Sequence, residues 1–140
     1  MEARVGNRGL AIAGVAFVAC LLVSGPVAAE NRWGCSCVHN ITDVKINFRY
    51  KWGDRQWQTV DLQPNYNQAI CWNYGDGQHS SPPLTFHVDV DMSNGTAWAD
   101  FSLGRVQSPG NRCNQIPPEG HYNIAYKPGS NRSMITVFKR

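Results

Sequence analysis

The chain has no run of basic residues, no internal repeat, no low-complexity tract and, past its first 29 residues, no stretch with helical periodicity. Each absence excludes something. Without a Lys/Arg cluster there is no electrostatic footprint for nucleic acid. Without an apolar period near 3.6 residues, the core has to be built from strands. No nucleophile-elbow pattern is present, and Ser80-Ser81 after His79 is a polar loop rather than the start of a triad.

One long apolar run exists, Leu10 to Val23, preceded by Arg4 and Arg8. It is shorter than the roughly 20 residues a membrane span needs. It ends at Ser24-Gly25-Pro26, and Val27-Ala28-Ala29 supplies small residues at cleavage positions. Residues 1–29 therefore read as a secretory signal peptide, leaving no membrane span and a secreted or periplasmic product. Cys20 does not read as a lipid-attachment cysteine, because apolar residues follow it directly and Phe17 stands where such signals carry Leu.

Residues 30–140 suffice for one domain. Removing Arg4, Arg8 and Glu2 takes the charge count from 13 basic and 10 acidic to 11 and 9, too small a surplus to select a polyanion. Setting Cys20 aside leaves Cys35, Cys37, Cys71 and Cys113, an even number that reads as two disulfides in an exported chain. A Cys35 to Cys37 bond closes too small a loop. Two pairings stay open: Cys35 with Cys71 and Cys37 with Cys113, or Cys35 with Cys113 and Cys37 with Cys71. A zinc site of four thiolates needs two closely spaced pairs, and Cys71 and Cys113 stand alone.

Several segments alternate with period two. Val44 to Trp52 places Val44, Ile46, Phe48, Tyr50 and Trp52 on one face and Lys45, Asn47, Arg49 and Lys51 on the other. Trp57 to Leu62 returns beside it, and apolar partners match only if Phe48 meets Val60 and Ile46 meets Leu62. Asn67 to Tyr74 carries large apolar groups on both sides of Cys71 and reads as an interior strand. Leu84 to Asp91 turns at Asn94-Gly95, the strongest short hairpin signal. A two-residue loop there sets Val90 against Ala99, Val88 against Phe101 and Phe86 against Leu103. Gly104 to Gly120 reads as irregular apart from one short strand, and a closing hairpin turns around Pro128-Gly129. About seven to eight such strands make an all-β, antiparallel β-sandwich stapled by two disulfides, immunoglobulin-like or similar, although Cys71-Trp72 adjacency is not immunoglobulin spacing.

The chemistry concentrates on the polar face of the central hairpin, which holds His87, Asp89, Asp91, Trp98 and Asp100. In the expected register Asp89 lies across from Asp100, and like charges so placed require compensation. Solvent, the neighbouring Lys45, Arg49 and Lys51, or a cation held by His87, Asp89, Asp91 and Asp100 would each supply it. Residues two apart on a strand are about 6.6 to 7 Å apart, which makes a compact metal site difficult. Trp57 and Trp98 also fall on polar faces. If both hairpins belong to one sheet, the two rings form with Arg49 and Asp91 a candidate ligand surface, because exposed rings stack on sugars or anchor proteins. The plainer explanation is that each ring covers the stem of Arg49 or Lys51. Asn40-Ile41-Thr42, Asn94-Gly95-Thr96 and Asn131-Arg132-Ser133 match the glycosylation sequon.

The expectation is thus an exported, non-catalytic binding or structural module without a cofactor, taking an unknown protein or glycan partner. Its rivals are a carbohydrate-binding module using Trp57 and Trp98, and a metal-dependent hydrolase using His87, Asp89 and Asp100.

Overall fold

A computed structural model describes residues 30–75, 79–93 and 95–140. The expected signal peptide, residues 76–78 of the expected loop and Asn94 of the expected turn lie outside the described residues. Among those described, nine strands follow in order: β1 (Trp33–Asn40), β2 (Ile46–Trp52), β3 (Gln58–Leu62), β4 (Asn67–Asn73), β5 (Leu84–Asp89), β6 (Trp98–Asp100), β7 (Val106–Ser108), β8 (His121–Tyr126) and β9 (Ile135–Lys139). Two short 3-10 turns, Cys113–Gln115 and Pro118–Gly120, are the helical pieces. One sheet runs β4-β1-β8-β9 with β7 also on β1, and the other runs β3-β2-β5-β6. No helix among the described residues is long and apolar enough to cross a membrane.

The second sheet follows the alternation that the sequence shows. Ile46, Phe48 and Trp52 are buried on its inner face, and Phe48 meets Val60 while Ile46 meets Leu62. Phe48 packs on Phe86 across the sheet, ring centroids 5.4 Å apart. Because β2 also pairs with β5, Arg49 lies opposite His87, and the basic and acidic strands stand side by side.

The β5-β6 register departs from expectation by two residues. His87 faces Asp100, Val88 faces Ala99 and Asp89 faces Trp98. An even slip keeps every side chain on its face, so Phe86, Val88, Val90, Ala99, Phe101 and Leu103 still pack into the core. The cause is a wider loop built on carboxylates. Asp89 Oδ1 accepts the backbone N–H groups of Asp91 (3.3 Å) and Ala97 (3.0 Å), and Asp91 Oδ1 accepts the N–H and hydroxyl of Ser93. These bonds hold the chain open where a two-residue turn was expected.

The first sheet is organised differently, and its central strand was not expected at all. β1 is buried on both faces: Val38 joins the core between the sheets, while Cys35 and Cys37 form a second core with Cys113 and Ile116 beneath the segment 109–120. A strand covered twice has no polar face to alternate against. Its buried hydroxyl finds a partner, Ser36 Oγ donating to Gly104 O at 2.8 Å. β4 lies at the edge of this sheet rather than in its interior. It is apolar on both faces because Ile70 and Trp72 face the main core while Ala69 and Cys71 face the second one.

Of the two pairings left open, the structure has Cys35 with Cys71 and Cys37 with Cys113, 36 and 76 residues apart in sequence. β8 runs parallel to β1, with Cys37 opposite His121, and β9 closes the sheet antiparallel to β8. Asn40 of the first sequon is a structural residue: its amide donates to Val44 O and Leu62 O, and its Oδ1 accepts from Thr42.

Candidate functional site

The two Trp residues singled out in the sequence do share a surface, because both hairpins belong to one sheet. That surface is filled from within. The Arg49 guanidinium lies over Trp57 at 4.3 Å and over Trp98 at 4.6 Å, and Lys51 Nζ stands 4.9 Å from the Trp57 ring. Arg49 Nε donates to His87 Nδ1 at 3.3 Å, and the His87 ring packs on Trp57 with centroids 4.6 Å apart. Trp57 and Trp98 are half-buried rather than exposed. Each cation–ring contact of this kind contributes about 0.5 to 1 kcal/mol at an exposed site. The arrangement fits the plainer explanation, rings covering an arginine stem.

The four candidate metal ligands are not gathered at one point. His87 Nε2 and Asp100 Oδ1 are 4.0 Å apart. Asp89 is 6% exposed and spends Oδ1 on backbone N–H groups, while Asp91 binds Ser93 beyond the end of β5, where its backbone bridges to Met134. The expected Asp89–Asp100 repulsion is replaced by a His87–Asp100 pair.

A better-formed concavity lies at the side of the sandwich where β2 and β4 approach each other. Its volume is about 430 Å³, and Trp33, Tyr50, Trp52 and Trp72 supply four aromatic walls, with Arg55, Gln58 and Asn73 as polar groups. Trp52 comes from the second sheet and Trp72 from the first, their rings tilted at 54° with centroids 5.5 Å apart. Arg55 lies 4.7 Å over the Trp72 ring, and the Tyr50 hydroxyl donates to Gln58 Oε1 at 2.9 Å. Burial raises the Tyr50 phenol above its ordinary value. Tyr50, Trp52 and Trp72 were read in sequence only as core or interior positions, and Trp33, Arg55 and Gln58 drew no notice. The signal was the placement of Trp52 and Trp72 near strand ends, where an inward ring meets the rim instead of the centre, with Trp33 at the start of β1.

A second concavity of about 390 Å³, lined by Pro118, His121 and Arg140, opens beside a pair of imidazoles. His39 Nε2 and His121 Nδ1 are 2.7 Å apart, and His121 Nε2 lies 2.8 Å from Ile116 O. The carbonyl can only accept, so His121 carries its proton on Nε2 and accepts from His39 at Nδ1. His39 titrates below the ordinary histidine value, first through burial, then through the nearby positive charge of Arg140 and through His121. Neither histidine drew notice in the sequence, although Cys37-Val38-His39 places a thiol and an imidazole two apart on one strand face.

Compared with known proteins, the chain matches no protein-family model, has no significant match among curated proteins and has none among solved structures.

Proposed function

We propose that this protein is an exported, non-catalytic β-sandwich module that binds a glycan in the aromatic cleft between β2 and β4. The observation that carries the reading is the lining: four aromatic side chains from both sheets, with a guanidinium and two carboxamides at their margin. Flat apolar faces accept the C–H face of a sugar ring, and planar amides and guanidinium groups pair with its hydroxyls. Among the described residues the lining carries aromatic, carboxamide and guanidinium groups and no carboxylate, a set that supports binding more readily than the paired-carboxylate chemistry of glycoside hydrolysis. Two disulfides suit a secreted or periplasmic location.

The test is tryptophan fluorescence of the exported form titrated with a panel of soluble oligosaccharides, read alongside a glycan array. A ligand is expected to shift the emission of the wild type, and Trp33→Ala or Gln58→Ala to abolish that shift, while Trp57→Ala leaves it intact. A panel without any binder, or binding indifferent to Trp33→Ala and Gln58→Ala, would end the proposal.

A further inference from the structure

The second core holds a group of side chains that the glycan reading does not use. Cys37 and His39 project from the same face of β1, and the parallel pairing of β8 puts His121 directly beside Cys37. His39 Nε2 lies 3.3 Å from Cys37 Sγ, and the ligand atoms of Cys37, His39 and His121 all fall within 4.8 Å of one another. Cys113, carried by the first 3-10 turn, reaches down onto this face and is bonded to Cys37. The carbonyl of Ile116 fixes the His121 tautomer and aims its Nδ1 lone pair into the group. This is how an outer-shell carbonyl orients a metal-bound imidazole.

In the crosslinked state the sulfurs are spent on each other. We propose that when the Cys37–Cys113 bond is reduced, Cys37, Cys113, His39 and His121 form a four-coordinate zinc site, so that the same four side chains serve either as a crosslink or as a metal centre. The chemistry balances with a dithiol as reductant. It delivers two electrons and two protons to the Cys37–Cys113 bond and becomes a disulfide itself, and zinc then takes both sulfurs as thiolates and releases the two thiol protons. His121 ligates through Nδ1. His39 ligates through Nε2 after its proton moves to Nδ1, and the exposed Arg140 guanidinium, now 3.3 to 3.4 Å from that ring, moves aside.

The required movements are small. Zn–N bonds of about 2.0 to 2.1 Å in a tetrahedron put two ring nitrogens roughly 3.3 Å apart, so the imidazoles must part by about 0.6 Å. Zn–S bonds of about 2.3 Å separate the sulfurs by roughly 3.8 Å, a change that one rotation of the Cys113 side chain supplies. The concavity beside His121 gives the ion a route in. The donor set is the Cys2His2 of structural zinc, and three of its four members stand within 4.8 Å of one another on the adjacent strands β1 and β8.

Cobalt tests this directly, because thiolate bound to Co2+ absorbs in the near ultraviolet and tetrahedral Co2+ absorbs in the visible. The protein reduced under argon should bind one Co2+ per chain with both features and release it to zinc, and the oxidised protein should show neither. His39→Ala and His121→Ala keep both disulfides available, and each should weaken Co2+ binding by more than the about 10- to 100-fold that losing an outer-shell partner costs. Cys35→Ser with Cys71→Ser should leave the spectrum in place. If that variant fails to fold, alkylation of the reduced wild type with zinc present decides instead: Cys35 and Cys71 should be modified, and Cys37 and Cys113 protected. The absence of a thiolate band on reduction overturns the proposal, as does protection that falls on Cys35 and Cys71.

Discussion

The outer faces of the two sheets are built on opposite plans. The second sheet turns its outer face to solvent and dresses it with charge, Arg49 stacked between Trp57 and Trp98 and His87 paired with Asp100. The first sheet buries its outer face under residues 109–120 and locks the cover with Cys37–Cys113. An open face leaves a period-two trace in the sequence and a covered one does not, since covered residues are apolar or small on both sides. The comparison also separates the sites: the open face has filled itself with its own cations, whereas the concavities lie at the sandwich edge and beside the cover.

The sharpest way to break the comparison is to release the cover. Cys37→Ser with Cys113→Ser removes a crosslink spanning 76 residues, and a chain-entropy account puts its loss at about 4.5 kcal/mol in urea denaturation. A loss confined to a few tenths of a kilocalorie would mean that packing of Ile116 alone holds the segment down. On the open face, Asp89→Ala should cost about 1 to 3 kcal/mol, because it strands the N–H groups of Asp91 and Ala97. Asp100→Ala, by contrast, should stay within about 0.5 kcal/mol, as befits an exposed group. Equal effects of these two changes would contradict the register described above.

An effect smaller than the loss of the crosslink is expected from Arg49→Ala, roughly 1 to 2 kcal/mol for two ring contacts. Acrylamide should then quench more of the tryptophan emission than in the wild type, and unchanged quenching would show that the rings are covered by something other than the guanidinium. The smallest effect concerns Asp43, whose carboxylate binds the Tyr126 hydroxyl and the Arg132 guanidinium. The Tyr126 bond, then the Arg132 bond, holds its pKa below the ordinary 3.8. The unfolded chain thus binds more protons in this range, so the contribution is full above pH 3.8 and fades as pH falls through the depressed folded value. Acid titration of the wild type against Asp43→Asn should show the two stability curves converging below that pH, and parallel curves would remove Asp43 from the account.

Much of the second sheet was legible in the sequence because solvent supplied the contrast. Lys45, Arg49 and Lys51 against Ile46, Phe48 and Tyr50 sufficed to set the Phe48–Val60 register. The Asn94-Gly95 signal misled by two residues because it speaks only for local backbone preference, and two carboxylates bound to backbone amides favour a wider loop. β1 escaped notice because Gly34, Ser36 and three residues of the second core erase its alternation. The disulfide pairing could not be read, since both arrangements tie the same two cysteines of β1 to the same two distant ones. Of the site residues, Trp57, Trp98 and Arg49 were expected on one surface only if both hairpins shared a sheet, which they do, and the two rings are half-buried where the registers implied exposure. The His39–His121 pair depends on a parallel contact between strands 82 residues apart, which no local pattern announces.

The position of β1 shapes how this domain must come together in time. One edge of that strand is claimed by β4, only some tens of residues later, but the other edge waits for β7 and β8. A chain emerging in order from a ribosome or a translocation pore presents a strand with one open ladder until residues beyond 120 arrive, and with Cys37 unpaired until Cys113 follows. Long-range pairing of this kind slows folding and lengthens the interval in which an open edge can find the wrong neighbour. Early capture of Cys35 by Cys71 would shorten the search by holding β4 in place, leaving Cys37 as the thiol whose partner comes late.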